Sequence, residues 1–253
     1  TKEGRRKAID ILGNDGGVIG FRGDAQDARV LFKAATDAER NVRSVALSEL
    51  RGCVKAGSAK CPLQPDQLRK WYGKETDKSL KQSIAALAGK LKMAKEVMDW
   101  CKSTVTDGSI YWGCRDALKD VIAKENFEDF YKLADAFVGS EVSKKKNEFR
   151  TKFLAEIFVA ALKNGGSKEK VMSWMTKVMA QPETLNARSY SLATYLVRQM
   201  AKNASGKDEV AKVTKLVKKH KKDFTKAWEK DKYKKRALKT FDDALKTLEG
   251  KKG

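Results

Sequence analysis

Proline is nearly absent from this chain of 253 residues, with 3, and histidine occurs once. So little proline leaves long helices uninterrupted. A zinc site is not supported, because there is no Cys-x-x-Cys pair and the one histidine, His220, lies in a lysine run. A Cys–His nucleophile pair would have to use that same residue. Alternating β-branched runs bounded by turns are missing, so strands have little support. No stretch reaches the roughly 20 apolar residues that span a bilayer; the most apolar run, Phe153 to Leu162, is short and contains Glu156. The neighbouring carboxylates Asp242-Asp243 and Asp208-Glu209 point in different directions on a helix and read as solvated face. No catalytic constellation and no cofactor follow from these residues.

What is abundant is helix-favouring and cationic. Ala, Leu, Lys and Glu dominate, and all favour helix locally. There are 54 Lys plus Arg against 33 Asp plus Glu, a net charge of +21. Such a field attracts polyanions: nucleic acid, anionic lipid, acidic glycans or an acidic protein. A lysine-rich surface that only keeps the chain soluble is the plainer alternative. The charge is steepest in residues 202–253, which hold 18 Lys or Arg and 8 Asp or Glu. Two clusters stand out, Lys218-Lys219-His220-Lys221-Lys222 within a predicted helix and Lys144-Lys145-Lys146 in a predicted turn.

One pattern recurs along the chain. In residues 41–50 the apolar positions Val42, Ala46, Leu47 and Leu50 share one face of a helix. The same frame fits Phe149, Phe153, Leu154 and Ile157, then Ala187, Leu192 and Tyr195, then Tyr233, Ala237, Leu238 and Phe241. Weaker copies begin at Ser79 and Gly113. The frames start at 42, 79, 113, 149, 187 and 233, in steps of 37, 34, 36, 38 and 46. Each is preceded by another amphipathic segment and a polar or Gly/Pro break, so each unit reads helix, turn, helix. A single hairpin cannot bury its apolar stripe; stacking on its neighbours does.

Residues 37–50 resemble the second helix of a HEAT repeat. The resemblance extends over about residues 24 to 249 and implies an all-α, right-handed α-α superhelix, a HEAT-like solenoid of about six helix-hairpin repeats. Their expected ranges are about 24–57, 62–91, 94–124, 126–164, 167–204 and 207–249. A short capping helix and a glycine-rich loop occupy 1–23, and 250–253 form a tail. The loop has neither the Walker spacing nor the strand-to-helix setting of a dinucleotide turn, and reads as a connector. Second helices usually line the concave face of such arrays. The basic residue after the first apolar anchor, Arg43, Arg150, Arg188 and Lys234, would then recur along that face. These residues either contact phosphates or carboxylates or form a structural ladder to neighbouring turns.

The four cysteines fall into two local pairs, Cys53 with Cys61 and Cys101 with Cys114. Both are expected within disulfide reach, which suits an oxidising compartment, a periplasm or cell exterior. Four small buried hydrophobes in a cytoplasmic protein are the alternative. A Trp and an Asp one turn apart, Trp112 and Asp116, resemble the active-site pair of the HEAT-like alkyl-purine DNA glycosylases, which hold duplex DNA in a basic groove. Two function classes therefore compete. The first is a non-catalytic scaffold that binds an acidic protein or another anionic surface. The second is a nucleic-acid-binding protein that excises bases.

Overall fold

The computed structural model describes residues 1, 3–5, 7, 25–56, 61–106, 109–139, 148–181, 184, 190–227 and 234–251. Every regular element among them is helical. The glycine-rich loop, Lys144 to Lys146, Arg188, and the frame starts Ala187 and Tyr233 lie outside the described residues.

The helices are α1 (Ala25–Ala34), α2 (Arg40–Ala56), α3 (Pro65–Lys74), α4 (Lys78–Lys90), α5 (Ala94–Thr106), α6 (Trp112–Val121), α7 (Phe127–Gly139), α8 (Glu148–Lys163), α9 (Lys168–Met179), α10 (Tyr190–Asn203), α11 (Lys207–Ala227) and α12 (Lys234–Glu249). Their starts are set by local chemistry. Pro65 opens α3, where its missing N–H costs nothing. The Asp77 carboxylate accepts from the Ser79 and Leu80 amides and caps α4. The Ser167 hydroxyl accepts from the Lys170 amide at the start of α9. Each amphipathic segment expected from the sequence falls on one of these helices.

The chain divides into two compact units. The first is Thr1–Thr104 with Ile110–Val121, and the second is Val105–Ser109 with Ile122–Gly253. In the first unit the later helix of each hairpin packs on the next: α2 on α4, and α4 on α6. Val42, Ala46, Leu47 and Leu50 of α2 are fully buried, as their spacing requires. Two disulfides, Cys53–Cys61 and Cys101–Cys114, bind this unit, with Cα separations of 5.4 and 5.6 Å. The second ties α5 to α6.

In the second unit α8 packs on α10 and α10 on α12. Its core is aromatic at one end. Phe158 lies 5.0 Å from Phe130 and 4.7 Å from Trp174, centroid to centroid. The Trp174 indole N–H donates to the Ala134 carbonyl at 3.2 Å, so burying it leaves no orphan donor. Each fully buried Phe contributes about 1.5–3 kcal/mol relative to exposure. Phe149 departs from the repeat frame. It is 64% exposed, whereas its counterpart Val42 is fully buried. It stands in the first turn of α8, where the inward face is taken by Phe153, Leu154 and Ile157.

His220 is the buried ionisable group of α11, 4% exposed on the same face as Val217 and Phe224. Burial pushes its pKa below the ordinary 6.5; the Lys219 charge acts the same way, while Asp223 and the Met179 carbonyl oppose it. Its Nδ1 has no partner among the described residues. A histidine whose folded pKa is depressed binds its proton more tightly when unfolded. The stability it allows is complete above the unfolded pKa and is lost as pH falls below about 6.5. The expected slope is at most about 1.4 kcal/mol per pH unit. Urea unfolding at pH 7.5 and 5.5 should show this loss for the native chain and a smaller one for His220→Leu. Equal slopes would mean that other groups carry the pH dependence.

Candidate functional site

The largest uncompensated charge lies on α11. Its buried positions, Val210, Val213, Thr214, Val217, His220 and Phe224, occupy one side. Lys212, Lys215, Lys219, Lys222 and Lys226 recur at steps of three and four on the other, and all five are exposed. At 1.5 Å rise per residue this row is about 21 Å long. Asp208 extends it at the helix N-terminus, where the dipole favours an acid, and Asp223 lies beside it. Among the described residues, none of the five ammonium groups is within ion-pair reach of a carboxylate. Lys221, off the row, is paired with Asp242. The sequence cluster 218–222 covers only part of the row. The spacing of lysines from 212 to 226 is the signal that finds the rest.

A second feature is a groove of about 230 Å³ across α8, α10 and α12. It is lined by Lys152, Arg198 and Arg236 together with the hydroxyls of Ser191, Thr194, Tyr195 and Thr240. The Lys152 ammonium donates to the Ser191 hydroxyl at 3.0 Å and lies 5.8 Å from the Tyr195 ring centroid. Burial, and then the charge of Glu156, push the Tyr195 phenol well above its usual pKa, so it stays a proton donor. No carboxylate lines the groove among the described residues. Lys152 and Arg198 escaped the sequence reading. Lys152 and Arg236 share one register, three residues after the frame starts at 149 and 233, and following that register would have found both.

The expected binding residues scatter. Arg43 is committed within the first unit. Its guanidinium donates to Glu75 at 2.8 and 3.1 Å and to the Asp37 and Ala38 carbonyls at 3.0 and 2.9 Å. The side chains are 18% and 5% exposed. Burial pushes Glu75 up, but Arg43 and the Asp77 and Thr76 amides outweigh it and hold the carboxyl below its usual range. Arg150 is half-buried near the start of α8, and Lys234 is the half-buried first residue of α12. Lys218, Lys219 and Lys222 are exposed.

Trp112 opens α6, 49% exposed, with the Arg115 guanidinium 4.2 Å from its ring centroid. Asp116 is held by two arginines. Oδ1 accepts from Arg115 at 2.6 Å and Oδ2 from Arg51 at 2.8 Å. Cys114, between the two residues, is buried in its disulfide with Cys101. Among the described residues no cluster of three or more His, Cys, Asp or Glu side chains could hold a metal ion. No helix among them is long and apolar enough to cross a membrane.

No protein-family model, no curated protein and no solved structure matches this chain.

Proposed function

We propose that the chain is a non-catalytic, basic α-solenoid of HEAT-like hairpins that holds an acidic protein. The solenoid reading is supported by the order of packing within each unit, where successive second helices stack, and by the near-constant step of the sequence frame. The partner reading rests on one observation, the five-lysine row of α11. An acidic helix carries carboxylates at the same three- and four-residue steps, so the two rows match in spacing as well as sign. Two disulfides and no free cysteine among the described residues favour an oxidising compartment, a periplasm or cell exterior.

The competing reading is base excision at Trp112 and Asp116. It has less support, because a base that must take a proton is here held by two guanidinium groups, and the neighbouring cysteine is oxidised.

Charge reversal tests the scaffold reading. The triple variant Lys215→Glu, Lys219→Glu, Lys222→Glu keeps its far-ultraviolet circular dichroism, since all three side chains are exposed. Its affinity for polyglutamate at low salt should fall at least tenfold, and native binding should weaken linearly in log salt concentration. Undiminished binding by the variant, or no native binding at low salt, would remove the row as a docking surface.

A further inference from the structure

We infer that the groove across α8, α10 and α12 is a binding site for one compact dianion, a phosphate monoester. It is separate from the lysine row, and the argument starts from its lining. Lys152, Arg198 and Arg236 come from three different helices and face one space. None of the three is paired with a carboxylate among the described residues. Like charges converging without counter-ions destabilise the folded chain, and a bound anion relieves this.

The kind of anion follows from size, charge and donors. At about 230 Å³ the groove is below the roughly 300–1,000 Å³ of sites for drug-sized ligands. It takes a single oxyanion and bridging water, not a helix or a nucleic-acid strand. Three cations line the groove and no carboxylate does among the described residues. A dianionic phosphate offsets two of these charges; a carboxylate offsets one. The donors agree. Two guanidinium forks match the oxygens of a phosphoryl group in bidentate fashion. Lys152 adds a point charge, and the Ser191 hydroxyl, which accepts from Lys152, has its own proton to donate. A carboxylate, with two oxygens, leaves part of this set unsatisfied.

Two ligands with the same ring separate the chemistries: phenyl phosphate and benzoate, titrated by calorimetry at one ionic strength. Phenyl phosphate should bind at least tenfold more tightly. Its affinity should rise from pH 5 to 7 as the second phosphate proton leaves, near pH 6. Arg198→Gln and Arg236→Gln should each weaken it about tenfold; both side chains are exposed, so the fold is retained. Free O-phosphoserine and a phosphoserine peptide then identify the source. Equal affinities assign a small molecule, and a peptide bound more than tenfold more tightly assigns a protein-borne group. Equal binding of benzoate and phenyl phosphate, or glutamine variants with native affinity, overturns the inference. The triple variant of α11 should bind phenyl phosphate as the native chain does. Loss of polyglutamate binding and loss of phosphate binding are therefore read independently.

Discussion

Removing the Cys101–Cys114 and Cys53–Cys61 bridges by alanine replacement of all four residues is expected to unfold the first unit at a lower temperature while the second unit holds. Both bridges lie within Thr1–Val121, and Ile122–Gly253 contains no cysteine. They close loops of 8 and 13 residues. Chain-entropy arithmetic gives about 2.5 and 3 kcal/mol for loops of that size. Together this approaches the lower end of the roughly 5–15 kcal/mol that holds a folded domain. The thermal melt should then show two steps. Hydrogen exchange should rise in peptides from 40–121 and stay slow in peptides from α8 to α12. A uniform loss of protection along the chain would show that the two units unfold together and that the bridges stabilise both.

Gly113→Ala should destabilise the same unit by about 2 kcal/mol, although alanine is the better helix former. Glycine inside a helix costs about 1 kcal/mol relative to alanine, so the local effect is favourable. Packing reverses the sign. A Cβ at Gly113 would run into the backbone carbonyl of Gln82 on α4. A Cβ on Gly89 of α4 would likewise lie 2.6 Å from the Ala117 Cα of α6. Both obstacles are main chain, which cannot rotate aside, so the two helices would have to separate. Overpacking of this kind costs about 1–3 kcal/mol. Separation also stretches the bond from the Tyr111 amide to the Gln82 side-chain oxygen, now 2.8 Å, a loss of about 1 kcal/mol. Gly73 on α3 is the internal control, because nothing lies within 4 Å of its Cβ position. Gly73→Ala should raise stability by up to about 1 kcal/mol. Urea unfolding of the pair decides the matter; a Gly113→Ala chain as stable as the native one would refute the contact.

Much of the architecture was legible in the chain itself. Helix type and order follow from periodicity and from the breaks between segments, which are local properties. Cysteine pairing was legible for the same reason. Cys53 and Cys61 are 8 residues apart, and Cys101 and Cys114 are 13 apart on one hairpin, so few alternatives existed. Phe149 was misplaced because a frame of apolar spacings treats every turn of a helix alike. The structure leaves Phe149 of the first turn exposed and buries Phe153, Leu154 and Ile157 of the turns that follow.

The binding surface was legible only in part. Net charge and the run at 218–222 are sequence facts, but which cations are free is not. Arg43 read either as a contact for an external anion or as a rung of a ladder to neighbouring turns. Its bonds to Glu75, 32 residues away, and to two turn carbonyls are of the second kind. Asp116 looked available beside Trp112, yet Arg51, 65 residues away, holds one of its oxygens. Lys152 and Arg198 gave no local signal, and Arg236, the last of the run Lys234-Lys235-Arg236, gave none that linked it to them, because the three lie on separate helices. The sequence by itself determined that this chain is helical and strongly cationic, and it put the cysteines in two local pairs within disulfide reach, because propensity, charge and short-range closure depend on near neighbours. Only the tertiary structure decided which charges are cancelled and which converge, because an ion pair depends on where distant helices bring their side chains together.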